Sequence, residues 1–185
     1  MLTLPNLLTG LRIALIPFFA VCFYLPGGHA PLLAAAVFGL AAGTDWLDGY
    51  LARRLEQTSA LGAFLDPVAD KLMVSTVLVV LLQARPTVWL ALPVAVIIGR
   101  EIAVSALREW MSEMGARRKV AVSWLGKVKT VLQMVALVFL ILAHDAFFPD
   151  ICLVLGGVLI YAAAIMTLWS MWDYLRLAWP ELSRG

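Results

Sequence analysis

Long apolar runs alternate with short polar connections along the whole chain. Cutting the sequence at proline, glycine and charge clusters leaves six apolar stretches, each close to the roughly 20 residues that cross a bilayer as a helix. The stretches are approximately 7–25, 32–52, 63–83, 88–110, 124–143 and 151–173. Because backbone amides in hydrocarbon must be hydrogen-bonded within their own segment, each stretch is predicted to be a helix. The pattern predicts an all-α polytopic membrane protein with six transmembrane helices, forming one domain over 1–185.

Composition excludes the main soluble alternatives. Hydrophobic residues make up 63% and charged residues 14% of the 185 positions. In a typical soluble domain, about 45–50% of the residues are apolar and about 25% are charged. A water-soluble core of this size could not bury so many apolar side chains, which excludes a cytosolic domain, a disordered chain and a disulfide scaffold. The net charge of +2 is too balanced to indicate nucleic-acid binding, so membrane lipids are the expected surroundings.

Basic residues are concentrated in alternate connections between the apolar stretches. Arg53 and Arg54 lie in the second connection, and residues 117–119 place three cations in the fourth. In the first, third and fifth connections together, Arg85 is the only Lys or Arg residue. Since cytoplasmic loops carry an excess of Lys and Arg, the second and fourth connections and both termini are predicted to be cytoplasmic.

Four aspartates lie where membrane spans should be apolar. Asp45 and Asp48 are three residues apart near the end of the second stretch, so they share a helical face. Asp66 and Asp70 are four apart in the third stretch and share a face in the same way. Each would cost about 2.5–3.5 kcal/mol at the centre of a span, and the four together would repel one another. Small residues continue these two faces, namely Gly49, Ala52 and Gly62.

Metal binding is the interpretation that best accounts for these carboxylates. Clustered carboxylates without nearby His or Cys suit hard cations such as Mg²⁺ or Mn²⁺, and two such ions would balance the four charges. Two-metal sites commonly handle phosphates, and small neighbouring residues let a ligand approach the backbone. Two alternatives stay open: structural pairing with Arg53 and Lys71, and the ion pathway of a divalent-cation transporter. Transporter sites tend to lie between inverted repeats, and no repeat is evident here.

The aspartates belong to a longer pattern. Residues 45–70 read D-x-x-D-G-x-x-A-R-x8-G-x-x-x-D-x-x-x-D, which resembles the signature of the CDP-alcohol phosphotransferase family at every fixed position. The resemblance implies a six-helix membrane enzyme that transfers a phosphatidyl group from a CDP-linked lipid to an alcohol and releases CMP. It implies two divalent cations, Mg²⁺ or Mn²⁺, held by Asp45, Asp48, Asp66 and Asp70, with Asp70 also the general base. It further implies a nucleotide site formed by Asp48, Gly49, Ala52, Arg53 and Gly62.

Cations in the fourth and fifth stretches are candidates for an acceptor site. Arg108 lies near the end of the fourth stretch and Lys127 near the start of the fifth. A guanidinium fork and an ammonium group could together bind a phosphate monoester. Glu101 lies seven residues before Arg108 and shares its face, but Arg100 and Glu101 could instead form a structural neighbour pair. Lys129 could equally extend to lipid headgroups, as long basic side chains do at membrane surfaces.

Stretches outside the motif resemble the bacterial branch of this family that uses sn-glycerol 3-phosphate as its acceptor. The similar stretches are 4–12, 100–109, 123–130 and 167–172. In that branch, the positions matching Arg108 and Lys127 belong to the acceptor phosphate site. The resemblance also implies CDP-diacylglycerol as the donor and phosphatidylglycerophosphate as the product. Serine, inositol or phosphatidylglycerol are the alternative acceptors within the family.

Localisation and assembly follow from the same resemblance. It implies the bacterial inner membrane, an active site on the cytoplasmic side and a homodimer. Gly39 and Gly43 form a G-x-x-x-G pattern that indicates either a dimer face or, as we expect, close packing inside the bundle. Asn6, Thr9 and Arg12 either touch the nucleotide or merely begin the first helix, and the sequence does not separate these two roles.

Overall fold

The computed structural model describes residues 4–54, 60–114, 124–144 and 148–182, with side chains except at 4–5, 45–46, 48–54, 60, 63, 124–127 and 180–182. These ranges form six α-helices and, within the described residues, no strand. The helices are α1 (Leu4–Phe23), α2 (Ala30–Arg54), α3 (Ala60–Ala84), α4 (Val88–Glu113), α5 (Trp124–Leu142) and α6 (Pro149–Leu182). Each helix corresponds to one predicted stretch, although the ends differ, and the all-α six-helix membrane fold is confirmed.

The last helix departs most clearly from its predicted length. α6 contains 34 residues, which corresponds to about 51 Å at about 1.5 Å per residue. The hydrocarbon core of a bilayer is only about 30 Å thick. The predicted stretch ends near residue 173, where Asp173 and Arg176 begin a charged segment, but charges end a membrane span without ending a helix. α6 is therefore longer than the hydrocarbon layer is thick, so its first and last turns cannot both lie within that layer.

Acidic residues lie within both α2 and α3. α1, α4 and α6 each contain a segment long and apolar enough to cross a membrane, and the described side chains of α2 and α5 include the shorter apolar segments Ala30–Thr44 and Val128–Leu142. α2 contains Asp45 and Asp48, and α3 contains Asp66 and Asp70. The carboxylates of the predicted motif therefore belong to two helices that are consecutive in the chain.

The chain forms two compact units. The first comprises Met1–Ala84 and Val138–Leu153. Within it α1 packs against α2 and α3, and large apolar side chains of all three helices, such as Phe19, Phe38 and Leu78, are almost completely buried. This packing fixes α1 against the two helices that contain the four aspartates. The assignment of 1–185 to one catalytic domain stays a prediction.

The second unit comprises Arg85–Leu137 and Val154–Gly185. It contains α4 and most of α5 and α6. Apolar side chains of α4 and α6 form a buried cluster, which consists of Val104, Met111, Tyr174 and Ala178. Nearer the other end of α4, the Tyr161 hydroxyl of α6 donates a hydrogen bond to the Trp89 carbonyl oxygen at 2.8 Å. α4 and α6 are therefore joined at both ends of their contact.

The two glycines of the G-x-x-x-G pattern lie on an exposed face of α2. A Cβ atom built on Gly39 or Gly43 meets no other atom within 4 Å in the described part of the chain, and both residues are exposed. The expectation that they allow close packing inside the bundle is therefore wrong. Their small size leaves a flat helix surface open to the surroundings.

Candidate active site

The Asp66 carboxylate of α3 receives a hydrogen bond from a different helix. Its Oδ1 atom accepts from the Thr9 hydroxyl of α1 at 2.5 Å. Thr9 is completely buried, so water does not compete for this hydroxyl. Hydrogen bonds from a hydroxyl to a carboxylate are short and about twice as strong as those between neutral groups. α1 therefore orients one of the predicted metal ligands.

Asp70 lies one helical turn beyond Asp66. Both belong to α3, and the side chains of both are half-buried. Gly62, four residues before Asp66, is buried. Because residues four apart in a helix lie above one another, α3 presents a small residue followed by two carboxylates along one face.

Two more buried polar side chains of α1 accompany Thr9. Asn6 is 7% exposed and Arg12 is 1% exposed, and each lies one turn from Thr9. A buried guanidinium is stable only where acceptors or negative charges compensate it. α1 packs against the two helices that contain the four aspartates. Thr9 contacts one predicted metal ligand, and a role of Asn6 or Arg12 in nucleotide binding stays a prediction.

The remaining motif residues lie in the last three turns of α2. They are Asp45, Asp48, Gly49, Ala52 and Arg53. Their side chains, and that of Lys127 in the first turn of α5, lie outside the described residues. Among the side chains that are described, no three Asp, Glu, His or Cys residues gather at one point; Asp45 and Asp48 are not among them. Metal and nucleotide binding by these residues thus stay predictions.

The second unit contains a buried network of charges around Glu101. Its Oε1 atom accepts from Arg100 Nη1 at 3.0 Å and from Lys129 Nζ at 2.9 Å. Arg100 Nη2 donates to the Ser170 hydroxyl of α6 at 2.8 Å. Arg100 and Glu101 therefore form the structural neighbour pair that was one of the two interpretations. Lys129 is only 3% exposed, so the alternative in which it extends to lipid headgroups is wrong.

Arg108 has a different environment from the other two cations. Its Nη2 atom donates to the Tyr174 hydroxyl at 2.7 Å, and its guanidinium lies 5.1 Å from the centre of the Tyr174 ring. No carboxylate among the described residues forms an ion pair with it. Its Nε atom is buried and makes no hydrogen bond within the described part of the chain. Ser105, between Glu101 and Arg108 on the same face, donates instead to the Glu101 carbonyl oxygen at 2.6 Å.

No role was predicted from the sequence for Ser170 and Tyr174, and two roles stayed open for Thr9. Thr9 follows one turn after Asn6 in an apolar helix, and Ser170 and Tyr174 are four residues apart in α6. Polar residues at helical spacing inside an apolar segment indicate a polar contact face. The pair Asn6 and Thr9 and the pair Ser170 and Tyr174 both show this spacing. The spacing does not identify the residues of other helices that these side chains contact.

Comparison with known proteins identifies the family. The family model described as CDP-alcohol phosphatidyltransferase matches residues 2–169, which is most of the chain. This chain belongs to the CDP-alcohol phosphatidyltransferase family. The matched region includes the whole aspartate motif, Arg108 and Lys127, whereas Tyr174 lies beyond its end.

Several curated members of the CDP-alcohol phosphatidyltransferase family are similar over almost the full length. A protein of Pseudomonas fluorescens is 54% identical over 183 residues, covering 98% of this chain and 92% of that protein. A protein of Yersinia pestis (strain Pestoides F) is 52% identical over 182 residues, covering 98% of this chain and 97% of that protein. A protein of Pectobacterium atrosepticum is 52% identical over 179 residues, covering 97% of this chain and 96% of that protein. All three are named CDP-diacylglycerol–glycerol-3-phosphate 3-phosphatidyltransferase.

Proposed function

We propose that this chain transfers the phosphatidyl group of CDP-diacylglycerol to sn-glycerol 3-phosphate, with phosphatidylglycerophosphate and CMP as products. The observation that carries the proposal is the 54% identity over 98% of the chain with a relative named for this reaction. In the reaction, the acceptor hydroxyl oxygen forms a bond to the lipid-side phosphorus. The bond from that phosphorus to the bridging oxygen breaks, and CMP leaves with the electron pair. The hydroxyl proton passes to a carboxylate of the protein.

The four aspartates suit a site for two divalent cations, Mg²⁺ or Mn²⁺. Carboxylate oxygens are the ligands that these hard ions prefer. Asp66 and Asp70 offer two carboxylates on one face of α3, and Thr9 orients the first of them. Asp45 and Asp48 complete the proposed ligand set. When bound, such ions would neutralise charge on the attacked phosphate and on the departing CMP.

Asp70 is the proposed general base. It is half-buried and lies one turn from Asp66, so an acceptor held over this face of α3 can bring its hydroxyl within hydrogen-bonding distance. The proposed nucleotide site consists of Asp48, Gly49, Ala52, Arg53 and Gly62. Glycine and alanine at these positions let the nucleotide approach the helix backbone closely.

Arg108 and Lys127 are the proposed ligands of the acceptor phosphate. Support comes from the contrast between Arg108 and its neighbours, because Glu101 forms ion pairs with Arg100 and Lys129 and Arg108 has no such pair among the described residues. An arginine with no carboxylate partner and with a buried Nε–H that makes no hydrogen bond, both within the described part of the chain, is suited to bind an oxyanion.

The proposed location is the bacterial inner membrane, with both termini and the active site on the cytoplasmic side. Membrane-spanning helices and bacterial relatives support the membrane assignment, and the distribution of Lys and Arg supports the orientation. A membrane fold is appropriate because the acyl chains of donor and product stay in the bilayer. A homodimer is also proposed, and the exposed face of α2 at Gly39 and Gly43 is compatible with helix contacts between two copies.

The proposed reaction is tested with the purified protein in detergent micelles containing CDP-diacylglycerol. CMP should form only when sn-glycerol 3-phosphate and Mg²⁺ or Mn²⁺ are both present, and a chelator should abolish it. When glycerol 3-phosphate, serine and inositol are offered together, the lipid product should be phosphatidylglycerophosphate. A product containing serine or inositol would refute the proposed acceptor. Metal uptake by proteoliposomes in the absence of nucleotide would support transport instead.

A further inference from the structure

Tyr174 of α6 contacts two guanidinium groups of α4. Its hydroxyl accepts from Arg108 Nη2 at 2.7 Å. The centre of its ring lies 5.1 Å from the Arg108 guanidinium carbon and 5.9 Å from that of Arg100. Tyr174 is only 6% exposed and packs with Val104 and Met111 of α4. The ring is thus held in place by apolar neighbours while its polar end meets Arg108.

The two arginines differ in how their charge is balanced. Arg100 has the Glu101 carboxylate and the Ser170 hydroxyl as partners, so its position is fixed within the unit and it shares the single negative charge of Glu101 with Lys129. Arg108 has the Tyr174 hydroxyl as its only hydrogen-bond partner among the described residues. A neutral hydroxyl and an aromatic face can orient a guanidinium without neutralising it, whereas a carboxylate at this place would compete directly with an incoming anion.

We infer that Tyr174 is a positioning residue for the acceptor phosphate, and that it acts by holding the Arg108 guanidinium in the orientation that binds this phosphate. The inference rests on the proposed function, in which Arg108 contacts the phosphate of the acceptor. It extends the acceptor site to α6, beyond the region that the family model matches. Pre-organisation of this kind increases affinity because the bound orientation does not have to be selected at each binding event.

The test replaces Tyr174 by Phe, which keeps the ring and removes the hydroxyl. Tyr161→Phe is the matched control, since Tyr161 lies in the same helix and donates to the Trp89 carbonyl oxygen. Trp89 precedes Arg108 by more than five turns of α4, about 28 Å along the helix axis. Initial rates of CMP release are measured with glycerol 3-phosphate varied at saturating CDP-diacylglycerol. They are then measured with CDP-diacylglycerol varied at saturating glycerol 3-phosphate. Tyr174→Phe should raise the KM for glycerol 3-phosphate about tenfold, equivalent to about 1.4 kcal/mol, as expected for loss of a hydrogen bond to a charged group. The kcat and the KM for CDP-diacylglycerol should stay within about twofold, and Tyr161→Phe should change neither KM.

A double-mutant cycle tests whether Tyr174 acts through Arg108. In an Arg108→Ala background, Tyr174→Phe should have no further effect on the KM for glycerol 3-phosphate. An independent readout is competitive inhibition by inorganic phosphate, whose inhibition constant should rise in Tyr174→Phe by the same factor as the acceptor KM. An additive effect in the Arg108→Ala background would overturn the inference. Equal changes in the KM for both substrates would do the same, since they would indicate a general structural defect.

Failure of the inference is distinguishable from failure of the proposed function. If the wild-type protein releases no CMP with glycerol 3-phosphate, the proposed function fails. If the wild-type protein is active and Tyr174→Phe has the same acceptor KM as Tyr161→Phe, the function stands and the role of Tyr174 is refuted. Should Tyr174→Phe be too unstable to assay, Arg108→Lys retains the charge but loses the fork that Tyr174 orients. That variant should also raise the acceptor KM selectively, and an unchanged acceptor KM would overturn the inference.

Discussion

Glu101 is the carboxylate on which the charge network of the second unit depends. Its side chain is 27% exposed, whereas those of its partners Arg100 and Lys129 are 9% and 4% exposed. In Glu101→Gln the shape is retained, but two almost completely buried cations lose their counter-charge. Removing one partner of a buried pair costs about 3–5 kcal/mol, and the partial exposure of Glu101 reduces our expectation to about 2–3 kcal/mol. For a chain of this size, each kcal/mol lowers the melting temperature by about 2–4 °C, so a decrease of about 4–12 °C is expected.

Thermal unfolding in detergent, followed by light scattering or intrinsic Trp fluorescence, measures this decrease. Glu109→Gln is the matched control, because Glu109 lies on the same helix and is exposed, so its melting temperature should equal that of the wild type. Combining Glu101→Gln with Lys129→Met should recover part of the loss, since an apolar side chain then replaces one uncompensated cation. If Glu101→Gln melts at the temperature of Glu109→Gln, the network does not stabilise the fold and the reasoning is refuted.

Three further predictions concern the candidate site. Asp70→Asn should reduce acceptor-dependent CMP release by at least about 100-fold, because an amide cannot take the hydroxyl proton; full turnover would contradict its assignment as the base. Thr9→Val removes the hydroxyl that orients Asp66 and should lower kcat about tenfold, in a steady-state CMP assay in which Thr76→Val serves as the unaffected control. Arg108→Ala should raise the KM for glycerol 3-phosphate far more than that for CDP-diacylglycerol, and equal effects on both would remove Arg108 from the acceptor site.

The helices could be predicted from the sequence because the bilayer constrains them so strongly. Every apolar stretch of sufficient length had to be a helix, and all six occur. The prediction for α6 was shorter than the observed helix because hydropathy reports the thickness of the hydrocarbon layer, and a helix such as Pro149–Leu182 continues wherever its backbone can hydrogen-bond. The expectation for Gly39 and Gly43 was wrong because small residues indicate close packing without indicating where the other helix is.

Contacts between distant residues were the part of the site that the sequence could not provide. Spacing along one helix places Asp66 and Asp70 on a common face, and it needs no knowledge of the tertiary structure. The hydrogen bond from Thr9 to Asp66 joins residues 57 positions apart, and that from Arg108 to Tyr174 joins residues 66 apart. Such pairs depend on which helices pack together and on which turns of those helices meet, and a single sequence contains no information on either.

The charge balance around α4 gives a reason to favour a phosphorylated acceptor that does not depend on the aspartate motif. An uncompensated cation in a largely apolar environment lowers stability, and Glu101 reduces this cost for Arg100 and Lys129, which share its single negative charge through two ion pairs. The half-buried Arg108 has only the neutral Tyr174 as a hydrogen-bond partner among the described residues. If the acceptor were inositol, which has no charge, nothing in the reaction would compensate this arginine. With Arg108 as the proposed phosphate ligand, an acceptor that brings its own phosphate would restore the balance when it binds, so the charge that lowers the stability of the free protein would increase its affinity for glycerol 3-phosphate.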